Sequence, residues 1–88
     1  MKLIQGLIVH DTPDGTVAVA TGEAAKRLNG MLRLSETAAL IVRQMERDTT
    51  EEKIVDALTA AYSVEREIAA RDVRALVERL DGAGLIVW

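Results

Sequence analysis

The sequence predicts an α+β fold, with an N-terminal three-stranded antiparallel sheet followed by three helices. Three observations carry this. Runs rich in β-branched residues flank Pro13-Asp14-Gly15 in the first part of the chain. In the second part apolar residues recur at three- and four-residue spacing, the mark of helices that bury one face. Between them, Gly30 to Ile41 passes from one pattern to the other at Ser35.

Residues 2 to 10 read as the first strand. Pro13 presets φ for the first corner of a turn and Gly15 accepts a positive φ at its exit, so Thr16 to Thr21 is the return strand of a hairpin. Gly22 to Asn29 holds the helix formers Glu23 to Leu28 between breakers, which predicts one or two helical turns as a crossover. So short a helix needs packing to persist. Met31 to Leu34 is the third strand, with Leu32 and Leu34 facing the core and Met31 and Arg33 facing outward.

The first helix runs from Glu36 to Arg47. Ser35 is its N-cap, Glu36 complements the dipole, and Leu34, Ala38, Ile41 and Met45 form the buried face. Thr49-Thr50-Glu51-Glu52 fits a capping box, with Thr49 as cap and Glu52 reaching back. The second helix runs on to Tyr62, with Ile54, Leu58, Ala61 and Tyr62 inward. The third helix, Glu65 to Asp81, has the stripe Ala69, Val73, Leu76, Val77 and Leu80, and Gly82 and Gly84 stop it. Leu85 to Trp88 is an apolar tail that folds back onto the core. Without repeats, low-complexity segments or a linker, residues 1–88 read as a single domain. A helix pair with a short turn, a third helix and a small sheet resemble a winged helix-turn-helix.

Composition narrows the function classes. No apolar run approaches the ~18 residues of a membrane-spanning helix. The first residues lack the apolar core and cleavage site of a signal peptide, so a cytoplasmic location is expected. With no cysteine there is no disulfide and no thiolate metal or cluster site, and no cofactor is expected. The net charge of −3 argues against a general nucleic-acid binder, and two aromatic residues make no stacking platform. His10, the one histidine, sits at a strand end as a solvated residue, and no nucleophile–base set can be assembled around it. Glu51 and Glu52 are explained by the first turn of a helix. The chain reads as non-catalytic.

Arg33-Leu34-Ser35-Glu36-Thr37-Ala38-Ala39-Leu40-Ile41 resembles the strand-to-helix signature of the PqqD-like family, also known as the RiPP recognition element. Asp72 to Leu80 and Gly84-Leu85-Ile86 are similar to that family's last helix and its exit. Ser35 stands where Asn is usual, a harmless exchange of one cap for another, and Val42 stands where Trp is usual, which removes a large ring. The resemblance implies a winged helix-turn-helix-like domain that binds the leader of a ribosomally made precursor peptide. It further implies delivery of that peptide to a modifying enzyme, often a radical S-adenosylmethionine enzyme with clusters of its own.

The residues suit such binding. If Met31–Leu34 is an edge strand, an extended peptide can add beside it. Four backbone hydrogen bonds contribute about 2–6 kcal/mol net, whereas micromolar binding needs about 8 kcal/mol. A side-chain groove must supply the rest, and the resemblance places it between the third strand and the third helix. Ile68 and Ala75, with Asp72 and Arg79 and with Arg71 just beyond, flank the third helix's stripe as a candidate wall. The alternative is that Ile68 packs at the helix start and the charges form solvated pairs of ~0.2–1 kcal/mol. The resemblance also gives Asp72 a structural role. Candidate peptide-binding residues are therefore Met31, Leu32, Arg33, Leu34, Ile68, Arg71, Asp72, Ala75 and Arg79. Lys26, Arg27 and Arg33 could attract acidic leader residues.

The competing reading is a winged-helix DNA-binding regulator using Arg66, Arg71, Arg74 and Arg79. The same helix carries Glu65, Glu67, Asp72, Glu78 and Asp81, a poor footprint for phosphates. A scaffold or dimerisation domain is a third reading, and monomer and homodimer both stay open.

Overall fold

The run from Lys2 to His10 is two strands, not one. In the computed structural model, which describes residues 1–88, β1 is Lys2–Leu3 and β2 is Leu7–Thr12. Gly6 makes the corner between them at φ +99°, and a Cβ there would collide with the Thr21 carbonyl oxygen. The corner is fastened by Thr21, whose backbone N–H and Oγ1 both donate to the Gly6 carbonyl at 2.8 Å. A β-branched pattern cannot show such a break, because Gly6 alone signals it.

β3 (Gly15–Ala20) returns from the Pro13-Asp14 loop, and α1 (Gly22–Ala25) is a single turn anchored by buried Ala24. β4 (Met31–Leu34) follows. The three-stranded sheet has the order β2-β3-β4, antiparallel throughout, as expected.

Ser35 caps α2 (Glu36–Gln44) as expected: the Ala38 N–H donates to its Oγ at 3.1 Å. The helix stops at Gln44, short of Arg47, and its buried residues are Ala39, Ile41 and Val42, with Met45 just beyond. Ala38 is only half-buried. Val42, the small substitute at the position of the usual ring, lies in the core.

The cap of α3 (Glu51–Ala61) is Thr50, not Thr49, with the Lys53 N–H on Thr50 Oγ1 at 3.2 Å. Lys53 stands where a capping-box acid would be needed, so no box forms. Thr49 is held elsewhere: its N–H donates to the Met1 carbonyl at 2.8 Å, and the Met1 ammonium donates to the Thr49 carbonyl at 2.9 Å. That ammonium also pairs with Asp48 at 2.7 Å, which holds the Asp48 carboxyl below its ordinary pKa. Val55, not Ala61, completes the buried face of α3.

α4 (Arg66–Gly82) buries Ala69, Val73, Val77 and Leu80, while Leu76 is half-buried at the margin. It ends in a Schellman motif: Gly84 takes φ +75°, its N–H reaches the Asp81 carbonyl, and the Leu85 N–H reaches the Leu80 carbonyl, each at 2.9 Å. This return seats Leu85 in the core and makes the tail a strand. β5 (Ile86–Val87) pairs with β1 in a second, two-stranded sheet that periodicity did not announce, since two-residue strands have none. No helix is long and apolar enough to cross a membrane.

A groove beside the free edge of β4

β4 is an edge strand, with β3 on one side and no strand on the other. Register decides which of its backbone groups are free. A two-residue hairpin loop closes on a hydrogen-bonded pair, here Thr12 and Gly15. Alternation then turns Thr16 and Ala18 of β3 toward β4, where they meet Leu34 and Leu32. Leu32 and Leu34 therefore bond inward. The N–H and C=O of Met31 and Arg33 point from the free edge, which is two donors and two acceptors.

Side chains alternate too. Leu32 and Leu34 are half-buried toward the core, and Met31 and Arg33 are exposed on the outer face. Met31 is 61% exposed and shares that face with Ile8, 53% exposed, through Val19.

Alongside the edge runs a groove of about 250 Å³. Leu28, Leu32 and Leu34 line it on one side, Leu76 and Leu80 of α4 and its C-cap Ala83 on the other, with Ala38 and Leu85 completing the apolar surface. Its two charged residues are Arg33 and Arg79, both exposed and neither in an ion pair. An apolar trough beside four unsatisfied backbone groups can accept an extended chain and bury alternate side chains.

Of the candidate residues, Leu32, Arg33, Leu34 and Arg79 come together at this groove. Met31 contributes its edge backbone, while its side chain borders a second hollow of about 300 Å³, more polar in its lining, which Arg33 and Leu34 also reach. Ile68, Arg71, Asp72 and Ala75 are exposed on α4 and do not line the groove. Asp72 lies one turn before Leu76 and forms no ion pair, whereas Ile68 and Ala75 occupy the outer flank. Leu34 is less buried than a core residue, because it serves core and groove at once. The lining residues overlooked in sequence were Leu28, Ala38, Leu76, Leu80, Ala83 and Leu85. For Ala38, Leu76 and Leu80 the signal was helical periodicity, and that period does not say whether the margin of an apolar stripe meets core or cleft; Leu28, Ala83 and Leu85 lie outside the helices and carry no such signal.

Electrostatics favour a peptide over a duplex on α4. Arg66 pairs with Asp56 at 2.7 Å and Arg74 with Glu51 at 3.2 Å, so two of the four arginines offered to DNA are already engaged. Among the cations flanking the edge, Lys26 pairs with Glu23 at 3.3 Å, while Arg27 and Arg33 stay unpaired.

Fold and groove define a small α+β domain with an open sheet edge and an adjoining apolar cleft, a strand acceptor. Residues 13–86 match the family model of coenzyme PQQ synthesis protein D (PqqD), and the chain belongs to that family. No curated protein matches it. Two solved structures are similar to it. One is described as TbiB1 in complex with the TbiA(beta) leader peptide: 26% identity, 97% of this chain and 93% of that one, TM-score 0.75. The other is a lasso peptide synthetase B1 complexed with the leader peptide: 30% identity, 99% of this chain and 96% of that one, TM-score 0.74.

Proposed function

We propose that this chain is a non-catalytic module that binds the leader of a ribosomally synthesised precursor peptide. The leader adds as a strand to β4, places side chains in the groove, and is presented to a modifying enzyme. The observation that carries this is the juxtaposition of the outward Met31 and Arg33 backbone with the groove along α4. Both solved relatives hold leader peptides, which supports the same ligand class here. Binding raises the concentration of substrate at the enzyme without any new chemistry in the module. The module would work in the cytoplasm, where precursor peptides are made.

The family resemblance alone points to a radical S-adenosylmethionine enzyme as the partner. The likeness to a lasso peptide synthetase B1 favours a second reading of the partner, a lasso-type synthetase. The peptide-binding step is the same in both.

The test is capture from a lysate of the source cells on the immobilised chain, with wild type and Arg33→Pro side by side and mass spectrometry of what is bound. Proline at 33 deletes one outward N–H and leaves the pairing with β3 intact. A short precursor peptide held by wild type and lost from Arg33→Pro is expected. Duplex DNA in place of a peptide, or a peptide held equally by both, would overturn the reading.

A further inference from the structure

We propose that the groove selects, among extended peptides, those carrying a carboxylate side chain next to the apolar residue that fills it, with Arg27, Arg33 and Arg79 as the receiving cations. The inference rests on the leader-binding reading and names the chemistry of the segment bound.

The chain as a whole is acidic, with 14 Asp and Glu against 11 Lys and Arg, yet every charged side chain lining the groove is an arginine. Arg33 stands on the strand side and Arg79 on the helix side. Arg27 joins them at the exit of α4. It lies across Gly84, its Nη1 2.8 Å and its Cδ 3.2 Å from where a Cβ of residue 84 would stand, between the lining residues Ala83 and Leu85. All three are exposed, and none is within ion-pair distance of an acid.

Two nearby acids have partners of their own. Glu23 holds Lys26 at 3.3 Å, and Asp81 accepts the Trp88 indole N–H at 2.8 Å. Asp72 lies two turns back along α4 from Arg79, beyond the groove. The groove is thus basic at the Gly84 end with an acid beyond the other, so the peptide carboxylate belongs at the Gly84 end. The negative end of the α4 dipole and the Asp81 carboxylate are there too, and three guanidinium charges outweigh the two together. Arginine rather than lysine suits this rim, since its planar fork takes a carboxylate in two hydrogen bonds.

The probe is a displayed library of random dodecapeptides, selected on the immobilised full chain at low ionic strength. A second selection uses the charge-reversed variant Arg27→Glu/Arg33→Glu/Arg79→Glu, with its melting curve recorded alongside. Wild type should enrich peptides with Asp or Glu within two residues of a large apolar side chain, and the reversed variant should enrich Lys or Arg there. For one enriched peptide, each single Arg→Ala change should weaken binding about two- to fivefold at 10 mM salt. The loss should shrink at 150 mM, where the screening length falls from about 30 to 8 Å. The single variants carry the test if the triple variant does not fold. Enriched apolar peptides without acidic bias, or single variants with unchanged affinity, would overturn this inference and leave strand binding standing. No enrichment at all would remove both.

Discussion

The two free edges of the three-stranded sheet teach more together than either does alone. β2 is the longer, and by register it offers the outward backbone of Leu7, Val9 and Asp11 against only Met31 and Arg33 on β4. On backbone hydrogen bonds alone, at about 0.5–1.5 kcal/mol each, β2 would be the better template. The hollow of about 750 Å³ nearest to it touches β2 only at Leu7, so it does not run along the strand. Asp11 on β2 is instead pinned to α2 by Arg43 at 2.9 Å and to β3 by the Thr16 hydroxyl at 2.9 Å. At β4 the neighbouring helix α4 stands off, and the gap is lined with leucine. What makes an edge a binding site is the trough next to it, because only buried side chains bring affinity up to the micromolar range.

The comparison breaks most severely at Gly6. A side chain there meets the Thr21 backbone, and residue 6 holds φ +99°. Gly6→Ala should cost at least ~2 kcal/mol, read as a lowered melting temperature, because neither clash nor strain can be relieved by a side-chain rotation. Without that corner β2 loses its starting point and β3 its anchor, so both edges fail together.

Next comes the parity of β4. Leu32→Pro removes an inward N–H and leaves a carbonyl of β3 unpaired, at about 1–3 kcal/mol. Arg33→Pro removes an outward N–H and should stay within ~1 kcal/mol of wild type, while the lost hydrogen bond and guanidinium together weaken an enriched peptide about fivefold or more by fluorescence anisotropy. Equal stability losses at 32 and 33 would mean the register is shifted. Val9→Pro is the matching change on β2, also outward. It should cost about 1 kcal/mol through lost packing and leave peptide affinity within twofold. A tenfold loss there would move the binding edge to β2.

Much of this was legible beforehand, and the misses share a cause. The order of strands and helices, the Pro13-Asp14 turn, the Ser35 cap and the outward placement of Met31 and Arg33 all follow from local chemistry over a few residues. The groove does not. Whether Leu76 faces core or cleft depends on how far β4 stands from α4, a long-range distance that no local pattern encodes. Ile68 stands more than two turns before Leu76, a height along the axis that a helical wheel does not show, whereas Ala75 is level with Leu76 but lies too far round the axis, on the outer flank. The cap moved from Thr49 to Thr50 for a similar reason, since residue 49 is claimed by Met1, far away in sequence.

The smallest effect comes from acid. The Asp11 carboxyl is held below its ordinary pKa first by the Arg43 hydrogen bond, then by the Thr16 hydroxyl. A folded pKa below the unfolded one means the unfolded chain takes up protons first as pH falls. The stabilisation is therefore full above the unfolded value of about 3.9 and is lost as pH falls through the folded value. Asp48, held down by the Met1 ammonium, titrates in the same window and the same direction. Both carboxylates are exposed, so the urea midpoint should drop only slightly between pH 6 and pH 3. Arg43→Met separates them, since it removes the larger part of the Asp11 share, leaving only that of the Thr16 hydroxyl, and does not touch that of Asp48. The release should appear in amide exchange at β2, whose edge Asp11 fastens, and not at β4, whose edge rests on no titrating group. Equal acid loosening of both edges would mean that the pin between Asp11 and Arg43 does not distinguish them.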